Sequence, residues 1–242
     1  EPYRRQRQMC IRDSWETLPH ERLSPRADTV ASRMAVFRRL KHPSDTDSMF
    51  GPIRILVMPI RSLIQPVVQG LGDVEPLVFT VGEDLPLDEA AKRLIENAYA
   101  RVDLVMDRGE FAVRGGILDV FPPTAPHPVR IEFFGDEIDT IKEFHASDQR
   151  TYGDGLKTIW ATACRELQLT DAVRTRAKAL VGSIPNAEDM LESIANAIPV
   201  EGMESLMPAL VDHLEPVGSM LPKHAVILLS DPEKLRRSAE DL

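Results

Sequence analysis

Residues 109–123 read GEFAVRGGILDVFPP. Apolar and polar positions alternate on either side of a Gly-Gly step, which is the period of a half-buried strand rather than of a helix. The same period continues through VRIEFF (129–134) and EIDTIKEF (137–144), and Gly135-Asp136 between them suits a type II′ hairpin turn. Four successive strands are therefore expected: 110–114, 116–121, 129–134 and 137–144. Just upstream, LPLDEAAKRLIENAYARVD (85–103) predicts a helix with Ala91, Leu94, Ile95, Ala98 and the alkyl stem of Arg101 on one face. Residues 77–161 thus read as one helix packed on a meandering antiparallel sheet, a compact α+β unit.

Outside that unit the pattern is α/β. Val30, Met34, Phe37 and Leu40 form a helical stripe, with Ser24-Pro25 as the expected cap and first turn and Pro43 as the stop. IRILVMPI (53–60) reads as a buried strand and PLVFTVG (76–82) as another. After YGDG (152–155), LKTIWATAC predicts a strand, and 171–181 a helix with Val173, Ala177 and Leu180 aligned. Two further helices follow in AEDMLESIANA and GMESLMPALV. HAVILLS (224–230) reads as an apolar strand, leading into a helix capped by Asp231 with Pro232 in its first turn. Residues 1–14 carry four arginines and no periodicity, and are expected to be non-native or disordered.

The totals exclude several classes of function. The 242 residues carry a net charge of −9, and 77–161 holds nine basic against sixteen acidic side chains, so phosphate-backbone binding by that unit is not expected. No apolar run is long enough to cross a bilayer. The two cysteines, Cys10 and Cys164, suit a reducing cytoplasm rather than a disulfide framework. No Gly-x-x-x-x-Gly-Lys phosphate loop is present, the histidines fall singly, and no nucleophile elbow appears, so neither catalysis nor a metal site is expected.

The strand alternation gives something positive. If Val129, Ile131 and Phe133 face the helix, then Arg130, Glu132 and Phe134 face water. On the neighbouring strand Phe111 and Val113 point in, while Ala112 and Arg114 point out. Arg114 and Arg130 are then close on one surface beside an exposed phenylalanine, the composition of a binding hot spot. The plainer alternative is a solvated Arg130–Glu132 pair, with Phe134 covered by the Pro-rich loop 122–128.

The ordered set YARVDLV, DRGEFAVRGGILDVFPP, HPVRIEFFGDEIDTIKEF and SDQRT resembles the segment shared by the excision-repair protein UvrB and the bacterial transcription-repair coupling factors. DSWETLPHERLSP resembles the coupling-factor version, since the tyrosines of UvrB's DNA-clamping hairpin are missing. The resemblance implies an incomplete, degenerate helicase-like α/β domain with an inserted α+β domain of antiparallel sheet plus helix. Residues 15–76 would be the C-terminal part of the first α/β half, 77–161 the inserted UvrA-interaction domain, and 162–242 the second half. It assigns UvrA contact to Arg114, Arg130 and Phe134, with Arg101 and Glu132 at UvrB's contact positions, and Ala112 where UvrB has a further arginine. The function implied is recruitment of UvrA for transcription-coupled nucleotide excision repair; the alternative is a fragment of UvrB itself. No cofactor is expected here. ATP and magnesium, RNA polymerase and DNA are implied only for family domains outside this chain, and one of those domains could mask the Arg/Phe face. Truncating Arg130 is expected to weaken UvrA binding without loss of fold stability.

Overall fold

The computed structural model describes residues 9–11, 23–43 and 51–241. In chain order, β1 (Met9–Ile11) is followed by α1 (Ala27–Lys41), β2 (Ile55–Val57), α2 (Ile60–Ile64), β3 (Pro66–Val68) and β4 (Leu77–Thr80). Next come α3 (Leu87–Glu96), β5 (Ala100–Arg101), β6 (Glu110–Arg114), β7 (Ile117–Val120), β8 (Val129–Phe134), β9 (Glu137–Phe144), β10 (Thr151–Tyr152) and β11 (Thr158–Ala161). The chain continues through α4 (Asp171–Leu180), α5 (Glu188–Ala195), α6 (Met207–Leu210), β12 (Leu214–Pro216) and α7 (Pro232–Glu240).

The region from Leu77 to Ala161 matches the alternation closely. Its six-stranded sheet runs β10-β9-β8-β7-β6-β5, antiparallel throughout except that β5 joins β6 in parallel. Gly115 and Gly135 supply the positive φ, 60° and 66°, that the two tight reversals need. β4 and β11 pair antiparallel, Leu77 opposite Ala161, so the chain enters and leaves this unit through one two-stranded stem. α3 packs Ala90 and Leu94 onto Phe111, Leu118, Val120, Val129, Ile131, Ile138 and Ile141, the sheet's inner face.

α3 ends sooner than its stripe suggests. Tyr99 N–H donates to Leu94 C=O at 3.0 Å and Ala98 N–H to Ile95 C=O at 2.9 Å, with Ala98 left-handed at φ 60°. This is a Schellman cap built on alanine instead of glycine. Ala98 is buried against Leu167 and Leu169, and that packing offsets the cost of a Cβ in the left-handed region. Arg101 is therefore a strand residue and not part of the helix face.

The flanking segments share one core. Val30, Met34, Phe37, Val67 and Leu71 pack with Ala163, Val217 and Met220. A second cluster holds α4, α5 and α6 together. Three expectations fail here, each for want of a partner or through a competing one. Ser24 does not cap α1: its hydroxyl instead donates to Glu204 Oε2 at 2.6 Å and accepts from Gly202 N–H at 2.9 Å, while Arg26 takes the cap position with no side-chain bond to the helix's free N–H groups. β2 is not buried, with Ile55 57% exposed, because among the described residues β1 is its only strand neighbour and two strands alone cannot cover both faces. Residues 224–230 form no strand. Leu228 is 91% exposed, and among the described residues no strand edge meets their backbone. Met9–Ile11, inside the stretch expected to stand apart, pairs in parallel with β2. The rest of residues 1–14 lies outside the described residues.

Candidate functional site

β7 places Leu118 and Val120 inward, and Ile117 and Asp119 on the outer face of the sheet. The register sets Asp119 between Ala112 of β6 and Arg130 of β8, and Ile117 between Arg114 and Glu132. One carboxylate therefore lies directly beside one arginine and one position removed from another. Asp119 Oδ1 accepts from Arg130 Nε at 2.7 Å, and Oδ2 accepts from Arg130 Nη2 at 2.8 Å and also from Arg114 Nη2. Asp119 is fully buried. Arg114 and Arg130 do meet on one surface, and they do so through this acid.

The two arginines differ in what remains free. Arg130 also donates from Nη1 to Gln149 C=O at 3.3 Å and lies over the Phe144 ring at 5.0 Å, leaving its side chain 18% exposed. The hydrogen bond to Asp119, more than offsetting desolvation, raises its pKa and keeps it charged. Arg114 uses only Nη2 on Asp119, and its side chain is 48% exposed. Gln149, itself left-handed at φ 62°, holds the neighbouring loop by donating from Nε2 to Val105 C=O at 3.1 Å and Ala146 C=O at 2.8 Å.

Phe134 ends β8 with its ring 82% exposed, so the Pro-rich loop does not cover it. Phe133 packs partly into the inner core, and a register irregularity between Glu132 and Phe133 keeps Phe133 opposite Ile138 on the inner side. Phe134 is left outward, beyond half-buried Glu132. Ala112 does not emerge into water as expected. Together with Val105, Phe121 and Phe144 it makes a small second core on the outer face, roofed by the 102–108 segment and crossed by Arg130. Arg101 stands apart from the others. It is opposite Phe111 in the parallel β5–β6 register, so it falls on the helix side of the sheet's edge, away from Arg114, Arg130, Glu132 and Phe134.

Asp119, Ile117 and Gln149 escaped the sequence reading. Asp119 was within reach, because the alternation of GILDVF puts it on the outward face opposite Arg130 as soon as the hairpin register is drawn. Gln149 gave no such signal, since its role depends on a loop folding back. Among the described residues no group of His, Cys, Asp or Glu could hold a metal ion, and no helix is long and apolar enough to cross a membrane.

The family model described as the UvrB interaction domain matches residues 77–160, the stem and sheet that carry these side chains. Over 97% of its length the chain is 49% identical to the transcription-repair-coupling factor of Mycobacterium tuberculosis (strain CDC 1551 / Oshkosh). The chain belongs to the transcription-repair-coupling factor family. The protein of that name from Myxococcus xanthus is 34% identical over 94% of the chain, and that from Escherichia coli (strain K12) 36% identical over 57%. The chain spans 20% of the M. tuberculosis protein and 19% of the M. xanthus protein, about a fifth of the length of these curated relatives.

Proposed function

We propose that this chain is the protein-docking part of a coupling factor, and that the outer face of its sheet binds UvrA to recruit excision repair in transcription-coupled repair. Phe134 carries the reading: a large ring 82% exposed at the end of a strand whose inward residues are all packed. Nothing in the fold requires a phenylalanine there, whereas an interface anchor requires one. Beside it Arg114 offers a half-exposed guanidinium, and Glu132 lies on the same face. Arg130 contributes mainly by holding Asp119, and Arg101 lies outside the patch, to be reached only by a partner that wraps the sheet's edge.

The surrounding α/β segments suit a degenerate helicase-like domain interrupted by the sheet. The supporting observation is that α1 and β3 share a core with residues 163, 217 and 220 across the inserted unit. In this reading the chain itself performs no catalysis and needs no cofactor. ATP-driven translocation, RNA polymerase binding and DNA contact fall to other parts of the longer family members. All the relatives named above are coupling factors, which favours this reading over a UvrB fragment. Isothermal titration of the chain with UvrA tests it. Measurable binding that drops strongly in Phe134→Ala and Arg114→Ala is expected, and binding that both variants leave untouched would remove the outer face from consideration.

A further inference from the structure

Resting on the UvrA reading, we infer that Asp119 is the positioning residue of the docking face: it fixes the Arg114 guanidinium so that its remaining donors meet a carboxylate on the partner. Asp119 sits in the middle of the sheet, fully buried, and accepts from three guanidinium nitrogens. Arg130 closes on it with two nitrogens and turns a third to Gln149 C=O, so that guanidinium is engaged within the fold. Arg114 gives one Nη2 hydrogen to Asp119 and keeps Nε, Nη1 and its second Nη2 hydrogen for another group. A guanidinium pinned through one Nη2 hydrogen still presents an edge, its second Nη2 hydrogen beside Nη1 or Nε, in a set plane, the geometry a carboxylate meets with paired hydrogen bonds. Two cations on one anion also leave a single positive charge outward on a unit with sixteen acidic and nine basic side chains. The partner group that fits is an acidic side chain next to an apolar pocket for Phe134. The short methyl of Ala112 across from Asp119 leaves both arginines to converge on the acid without a competing side chain.

Positioning and plain charge predict opposite signs at Asp119. Asp119→Asn makes the face more positive by one unit. If charge alone drew an acidic partner, binding would tighten; if Asp119 positions Arg114, binding weakens. The experiment titrates UvrA into the full chain as wild type, Asp119→Asn, Arg114→Ala and the double variant. Expected is a loss of roughly tenfold or more for Asp119→Asn, with little added loss when Arg114 is already alanine. Asp119→Asn binding as tightly as wild type or tighter, with Arg114→Ala still weak, overturns the positioning role and leaves the docking face standing. An equal loss in both Arg114 backgrounds overturns it too, since general damage to the sheet would act in either. UvrA failing to bind the wild type overturns the docking reading and this inference together. If Asp119→Asn folds poorly, guanidinium NMR of the free wild-type chain decides, with Arg114→Lys giving the assignment. Slow rotation about the Arg114 Nε–Cζ bond supports the inference, and free rotation overturns it.

Discussion

Asp119 with Arg114 and Arg130, and Glu166 with Arg33, are both buried carboxylates gripped by guanidinium groups, yet they sit in opposite settings. At Glu166 both partners are buried, with Arg33 1% exposed. Nearby, Arg165 reaches Glu204 at 3.6 Å and donates to Pro25 C=O at 3.0 Å. This cluster joins the segment before the inserted sheet to the segment after it. At Asp119 the acid is equally buried, but one of its arginines is half in water. The same ion chemistry therefore acts as a staple when every charge is enclosed, and as a mount for a presented side chain when one cation reaches the surface. Exposure of the cation, not burial of the anion, separates the two.

The staple should give the largest effect. Arg33→Ala removes the guanidinium paired with the buried Glu166 carboxylate, and losses from breaking such pairs run to about 3–5 kcal/mol. Urea unfolding should show that drop, and a variant within error of wild type would take the staple role away from the Arg33–Glu166 pair. Next in size is Phe134→Ala, expected to lose about 2–4 kcal/mol of UvrA binding as a buried interface anchor. Its unfolding free energy should move by less than about 0.5 kcal/mol, because the ring touches little within the chain. A thermal melt alongside the titration separates the two quantities. Arg130→Ala comes third. Sequence reasoning alone expects it to spare the fold, but the half-buried side chain holds Asp119 and covers Phe144. A stability loss of roughly 1–3 kcal/mol should accompany its loss of binding. A binding defect without that loss would mean Arg130 acts on the partner directly.

What could be read beforehand follows the range of the forces involved. The bounds of β6, β8 and β9 came from period-two alternation and glycine turns, which are local, and the outward placing of Arg114, Arg130 and Phe134 followed from parity. Asp119 needed the register as well as the parity, one step further. The early end of α3 was hidden because Ala98 carries no glycine signal; the turn is held by packing against Leu167 and Leu169, far along the chain. Arg101, expected on the helix face, becomes a strand residue for the same reason, since the break at Ala98 precedes it. HAVILLS illustrates the converse. Its composition is that of a strand, but a strand exists only against a neighbour's backbone groups, and none is in reach among the described residues. Ser24 was misassigned because a long-range carboxylate, Glu204, outcompeted the local helix end for its hydroxyl.

Glu204 supplies the smallest effect and the finest distinction between the clusters. Burial pushes its carboxyl above the ordinary value of 4.5, while the Arg165 charge and the Ser24 hydroxyl pull it back only in part. An acid raised on folding holds its proton more firmly in the folded state, so the folded protein binds more protons than the unfolded one from about 4.5 up to the raised value. Stability must fall as pH rises through that interval and level off above it. Glu204→Gln can still accept from Ser24 but has no proton to lose, so it should flatten this part of the pH profile and leave the protein slightly more stable than wild type at neutral pH. Melting temperatures of both proteins across the acidic-to-neutral range measure the difference. If the variant instead melts lower at neutral pH, the Arg165 attraction outweighs burial there. The Arg165–Glu204 contact would then be held by charge, rather than carrying a carboxyl that burial pushes toward its neutral form.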